Sequence, residues 1–138
     1  MIKIICDSIS DVPNEIIEKY DVEIVPLTVI FNGIEYIDGI DINNKEFYKM
    51  LRESEDMPKT SQATYAQFVK FFEKYIDDEV LYLSGSSAAS GTYQSSILAK
   101  SDMDSKITIF DTFNLSIGAG TFVIKACEMV EHGLSVEE

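Results

Sequence analysis

A chain of 138 residues, 46% apolar and 11% aromatic, is long enough to bury one hydrophobic core of ordinary size. Twenty-four acidic residues against eleven basic ones give a formal net charge of −13, which repels nucleic acid phosphates and anionic membrane surfaces. No window of 18 uninterrupted apolar residues exists, and MIKIICDS enters a strand pattern without a basic flank or cleavage site, so the chain reads as cytoplasmic, without stable membrane insertion.

In chain order, IKIIC (2–6) is a short apolar, β-branched run typical of a buried strand, followed by the polar group Asp7, Ser8, Ser10 and Asp11. Pro13 and Glu15 open a helix that runs to Tyr20, and VEIVPL (22–27) is a second strand. In TVIFNGIEYIDG, Asn32-Gly33 separates two alternating apolar runs and predicts a hairpin near residues 28–37. NNKEFYKMLRE places Phe47, Met50 and Leu51 on one helical face. Lys59, Thr60, Ser61 and Gln62 then precede the helical pattern ATYAQFVKFFEKYI. VLYLS (80–84) is a third core strand, and the segment after it passes into a helix over Ser95 to Lys100. ITIFD (107–111) is a fourth, followed by Asp111, Thr112, Asn114 and Ser116 and then the helical run SIGAGTFVIKACEMVEH. Gly133 is its C-cap, and Ser135-x-x-Glu138 is a capping box that predicts the start of a further helix, so the 138 residues are expected to be the N-terminal piece of a longer protein.

Strands alternating with helices argue a mainly parallel sheet in a three-layer α/β/α arrangement, with the hairpin as an excursion. In such sheets ligands bind beyond the carboxyl ends of the strands. There the sequence gathers hydroxyls without charge: residues 84 to 92 carry five, with Gly85 and Gly91 allowing close approach of backbone. Ser10, Asp11, Asn114 and Ser116 are read as caps of their own helices. Hydroxyl donors with free amides at a helix N-terminus suit an anion and need no cation.

Other chemistries lack parts. A P-loop needs four residues between its glycines and then Lys; Gly85 and Gly91 are separated by five and no Lys follows. Asp7 lacks the second carboxylate two residues on that an aspartyl phosphatase uses, since Ile9 stands there. Asp41, Asn43 and Lys45 lack the glycine and terminal glutamate of a calcium loop, and Cys6 and Cys127 share no metal-site spacing, so Cys6 reads as core and no metal or cofactor is expected. Gly85-Ser86-Ser87-Ala88-Ala89 resembles a serine hydrolase elbow, which makes a small esterase using Ser87 the alternative reading. Its base is missing, because the one histidine, His132, sits at a helix C-terminus.

The ordered set DSISDVP (7–13), VPLTVIFNG (25–33), Tyr36-x-Asp38-Gly39, KTSQAT (59–64), SSAASGTYQSS (86–96) and DTFNLSIGAG (111–120) resembles the DegV family of bacterial fatty-acid-binding proteins over essentially the whole chain. The resemblance implies a two-domain protein that encloses one long-chain fatty acid, with this chain as the first domain. It also implies a carrier rather than a catalyst, which offers the acid for phosphorylation to the ATP-binding subunit of a fatty acid kinase. By motif position it implies Thr60, Ser61 and Ser90 as carboxylate contacts, Gly91 and Thr92 as residues that shape the loop, and Ser87 as a neighbour. A histidine and an arginine of the second domain would complete the head-group site. Ala63 and Ala89 depart from the Pro and Leu usual in the family at those positions. Phe31, Ile34, Phe113 and Ile117 are candidates for the acyl wall.

Overall fold

In the computed structural model, which describes residues 1–103 and 106–138, four strands form a parallel sheet in the order β2-β1-β6-β7. They are β1 (Ile2–Asp7), β2 (Glu23–Val25), β6 (Glu79–Ser84) and β7 (Ile107–Asp111). Each is a short β-branched run whose alternate residues meet helices on the two faces. On one face Ile5, Val80, Tyr82 and Ile107 pack against Phe68 and Phe72 of α3 (Tyr65–Lys74) and Ala99 of α4 (Thr92–Ser101). On the other, Ile4, Cys6 and Leu83 pack against Val123 and Cys127 of α5 (Ile117–Glu131). Helix α1 (Asn14–Tyr20) connects β1 to β2 and puts Tyr20 on that second cluster.

The hairpin excursion exists and is larger than the sequence pattern indicates. Strands β3 (Thr28–Phe31) and β4 (Ile34–Ile37) pair antiparallel through Asn32 and Gly33, whose φ values of 50° and 75° are the left-handed pair a two-residue turn requires. Residues Lys59–Ser61, which read as a polar lead-in to a helix, form β5 on the other edge of β3, with Val29 opposite Thr60. Helix α2 (Asn44–Glu53) lies between β4 and β5 in the chain and starts with a reciprocal capping box between Asn43 and Glu46.

Two local expectations are corrected. The side chains of Ser10, Asp11, Asn114 and Ser116 do not act as helix caps: among the described residues Ser10 Oγ is buried without a hydrogen-bond partner, Asp11 accepts instead from Ser116 Oγ at 2.7 Å, Asn114 donates to the Thr112 carbonyl, and the N-cap of α5, Ser116, makes no side-chain capping bond. After Gly133, whose φ of 84° closes α5, Ser135 does donate its N–H to Glu138 at 3.1 Å, but residues 134–138 form a turn and not a helix. Among the described residues, no helix is long and apolar enough to cross a membrane.

Candidate functional site

Parallel strands put the carboxyl ends of β1, β6 and β7 side by side, and Asp7 at the end of β1 ties two of them together. Its carboxylate accepts from Tyr82 Oη at 2.5 Å, from the Gly85 N–H at 2.9 Å and from the Ile9 N–H at 3.1 Å, while only 1% exposed. Burial pushes the Asp7 pKa up from its ordinary value against the pull of these three donors. Burial and the adjacent Asp7 charge likewise raise Tyr82, so its hydroxyl stays protonated and donates.

The loop that follows β6 is held through its backbone N–H groups, partly by the segment after β7 and partly by itself. Ser86 N–H donates to the Asn114 carbonyl, Ser87 N–H to Asp111 Oδ1 at 3.2 Å, and the Ala89 and Ser90 N–H groups both to the Ser86 carbonyl at 3.1 Å. This curl delivers Ser90 and Gly91 to the start of α4, where the N-cap is Gly91, which has no side chain to cap with. Thr92 closes the arrangement: its N–H donates to Ser90 Oγ at 3.2 Å, its Oγ1 lies 2.9 Å from Ser90 Oγ, and the same Oγ1 accepts the Ala63 N–H at 3.2 Å. Ala63 keeps the donor that a proline at this position would lack. A Cβ on Gly91 would stand 2.0 Å from Gln62 Oε1, so a side chain here would displace Gln62 from its bond to Ser95 Oγ.

Thr60 reaches the same place from the other sheet. In β5 it lies opposite Val29, and the two share a cavity of about 470 Å³ with Ser90 and Gly91. Ile9, Leu27, Val29 and Leu115 supply its apolar wall; Thr60, Gln62, Ser90 and Ser8 supply polar groups. The volume falls in the range of ordinary ligand sites. Two hollows of about 350 and 250 Å³ adjoin it, and Asp38 borders all three. Among the described residues that line the 470 Å³ cavity, Asp38 is also the sole ionisable one, so an anion there depends on neutral donors.

The residues singled out in the sequence therefore separate. Thr60, Ser90 and Gly91 line one cavity; Thr92 is fully buried behind them. Ser61 does not line it, since successive strand residues point to opposite faces and Thr60 takes the cavity side. Ser87 is exposed beside Asp111 and also lies outside that cavity. His132 follows the C-terminal end of α5, which at 15 residues is about 22 Å long, whereas the N-cap of that helix, Ser116, bonds to Ile9 beside the cavity. Of the four wall candidates none lines this cavity: Phe31 is core, packed edge-on against Phe47, while Ile34, Phe113 and Ile117 are exposed. Leu27 and Val29 do line it, and alternation along TVIF could have marked Val29. Among the described residues no cluster of three or more His, Cys, Asp or Glu could hold a metal ion.

A family model described as an uncharacterised protein of the DegV family matches residues 1–138. The chain belongs to the DegV family. A DegV domain-containing protein from Caldanaerobacter subterraneus subsp. tengcongensis is 41% identical over 140 residues, covering 99% of this chain and 50% of the relative. Among solved structures, a stearic-acid-binding protein from Eubacterium ventriosum superposes with a TM-score of 0.93 at 34% identity, over 99% of this chain and 50% of that one. A fatty-acid-binding DegV family protein from Thermus thermophilus gives 0.89 at 35% identity, with coverage of 99% and 49%. The chain thus spans about half the length of the DegV relatives it matches.

Proposed function

We propose that this chain binds the carboxylate end of a long-chain fatty acid between Thr60 and Ser90 and carries the lipid without transforming it. The observation that carries the reading is the shared cavity: the Thr60 hydroxyl of β5 and the Ser90 hydroxyl just ahead of α4 face one apolar wall, in a family whose solved members include fatty-acid-binding proteins. Each hydrogen bond to a charged oxygen contributes about 1.5–3 kcal/mol, enough to orient the head group. The tail contributes more. At about 0.8 kcal/mol per buried methylene, a sixteen-carbon chain gains on the order of 10 kcal/mol.

Thr60 and Ser90 are assigned as carboxylate contacts, and Ser61 is assigned a backbone role at the end of β5. A second domain, with cationic groups of its own, would cover the open side of the cavity and counter Asp38. In that complete site the carboxylate is offered to the ATP-binding subunit of a fatty acid kinase. Hydrolysis by Ser87 is the weaker reading, because a serine nucleophile needs a base within hydrogen-bond reach and His132 hydrogen-bonds the Glu128 carbonyl through Nδ1 at 2.6 Å.

The test is retention of palmitic acid by the full chain, measured by native mass spectrometry. Thr60→Ala and Ser90→Ala should each weaken it about tenfold or more, one charge-assisted bond's worth, and slow acyl phosphate formation when the kinase subunit and ATP are added. Protein that is folded, lipid-free and unable to take up palmitic acid would overturn the reading.

A further inference from the structure

Resting on that reading, we propose that Thr92 is a positioning residue that turns Ser90 into a donor only, and so makes the site select a carboxylate anion over a neutral head group. Thr92 is fully buried in the first turn of α4 and reaches the cavity only through Ser90. A hydroxyl has one proton and two lone pairs, and its proton rotates to suit its partners. Ser90 Oγ already accepts the Thr92 N–H, and in the arrangement described Ser90 directs its own proton at Thr92 Oγ1 across 2.9 Å. Thr92 Oγ1 also accepts the Ala63 N–H, and among the described residues it donates to none. The Thr92 proton is therefore in reserve.

A carboxylate is a stronger acceptor than a neutral hydroxyl and draws the Ser90 proton to itself. Thr92 then donates its reserved proton into Ser90 Oγ across the same 2.9 Å, with the Ala63 N–H still occupying a Thr92 lone pair. Both Ser90 lone pairs are then filled from Thr92, one by N–H and one by O–H. No heavy atom has to move. Ser90 in this state offers a proton and no acceptor, so a carboxylate fits it, whereas a head group that must itself donate, such as an alcohol, finds no acceptor at Ser90 and has to turn its proton to Thr60, Gln62 or Asp38.

The experiment measures the affinity ratio of palmitic acid to 1-hexadecanol in the full chain near neutral pH. The wild type should favour the acid by about tenfold or more. Thr92→Val, which keeps shape and removes the hydroxyl, should reduce that ratio, while Thr92→Ser should restore it. In a Ser90→Ala background, Thr92→Val should have no further effect on the ratio, because Thr92 acts through Ser90. A wild type that binds palmitic acid and hexadecanol equally, or an undiminished ratio in Thr92→Val, would overturn the role of Thr92 and leave fatty acid binding intact. A wild type that binds neither removes the functional reading itself. Should Thr92→Val not fold, Thr92→Ala removes the same hydroxyl, and an undiminished ratio there would equally overturn the role of Thr92.

Discussion

Replacing Tyr82 by Phe removes one oxygen and leaves the ring, which packs edge-on against Phe68 at 5.0 Å and near Phe72 at 6.5 Å, in place. The apolar core is thus preserved, and the loss is the 2.5 Å bond donated to Asp7 together with a longer contact of 3.3 Å to Ser84 Oγ. A hydrogen bond to a charged group is worth about 1.5–3 kcal/mol, and Asp7 keeps its two backbone donors, so about 2 kcal/mol is expected near neutral pH. For a domain of this size that lowers Tm by about 6–10 °C. The pH dependence is specific. Because burial raises the Asp7 pKa in the folded protein, its contribution to stability is full below the unfolded value and declines as pH rises through the folded one. Tyr82 favours the charged carboxylate, so its loss raises that pKa further, and the gap between wild type and variant should widen as pH rises through the folded-state value and narrow toward the unfolded one, about pH 4. Thermal unfolding followed by circular dichroism across that range is the assay. A variant that melts within about 2 °C of wild type at neutral pH, or a gap that grows on acidification, would refute the coupling of Tyr82 to Asp7.

Gly120→Ala would place a Cβ 2.5 Å from the Ser10 carbonyl oxygen, a backbone atom that cannot rotate away, so α5 must move off the turn that follows β1. The overpacking cost of about 1–3 kcal/mol should exceed the roughly 1 kcal/mol gained in helix propensity, and the urea midpoint should fall; an unchanged or higher midpoint contradicts the close approach. Cys127 is buried, and burial pushes its thiol up to about 11, so native protein should react with iodoacetamide at neutral pH far more slowly than protein unfolded in urea. Equal rates in the two states would show that Cys127 is accessible.

Much of the fold was legible because the strand and helix signals are local. IKIIC, VLYLS and ITIFD have no competing period, and Asn32-Gly33 is dictated by the left-handed turn it must adopt. Strand β5 was hidden because its three residues, Lys59, Thr60 and Ser61, carry no apolar alternation; they are a strand only because β3 offers an open edge. The same edge decides which of Thr60 and Ser61 meets the cavity, a matter of register that composition cannot encode. The apolar wall was misplaced for a related reason. Phe31, Ile34, Phe113 and Ile117 are large and stand near the polar motifs in sequence, but it is Leu27 and Val29 that line the cavity with Ser90. Asp7 was visible as a strand-end acid, whereas its grip on Tyr82 depends on neighbouring strands 75 residues apart in sequence.

Thr60 hangs from the small antiparallel sheet and Ser90 from the parallel one, so the span between their oxygens depends on what fastens the sheets together. Among those fastenings, Ser8 Oγ accepts the Leu27 N–H at 3.0 Å and Gln67 Nε2 donates to the Pro26 carbonyl at 2.9 Å. Closer to the two tips, the Ala63 N–H to Thr92 Oγ1 and Gln62 Nε2 to Ser95 Oγ bonds moor the segment after β5 to α4, so the gap is gauged by struts on both flanks and not by the cavity wall alone.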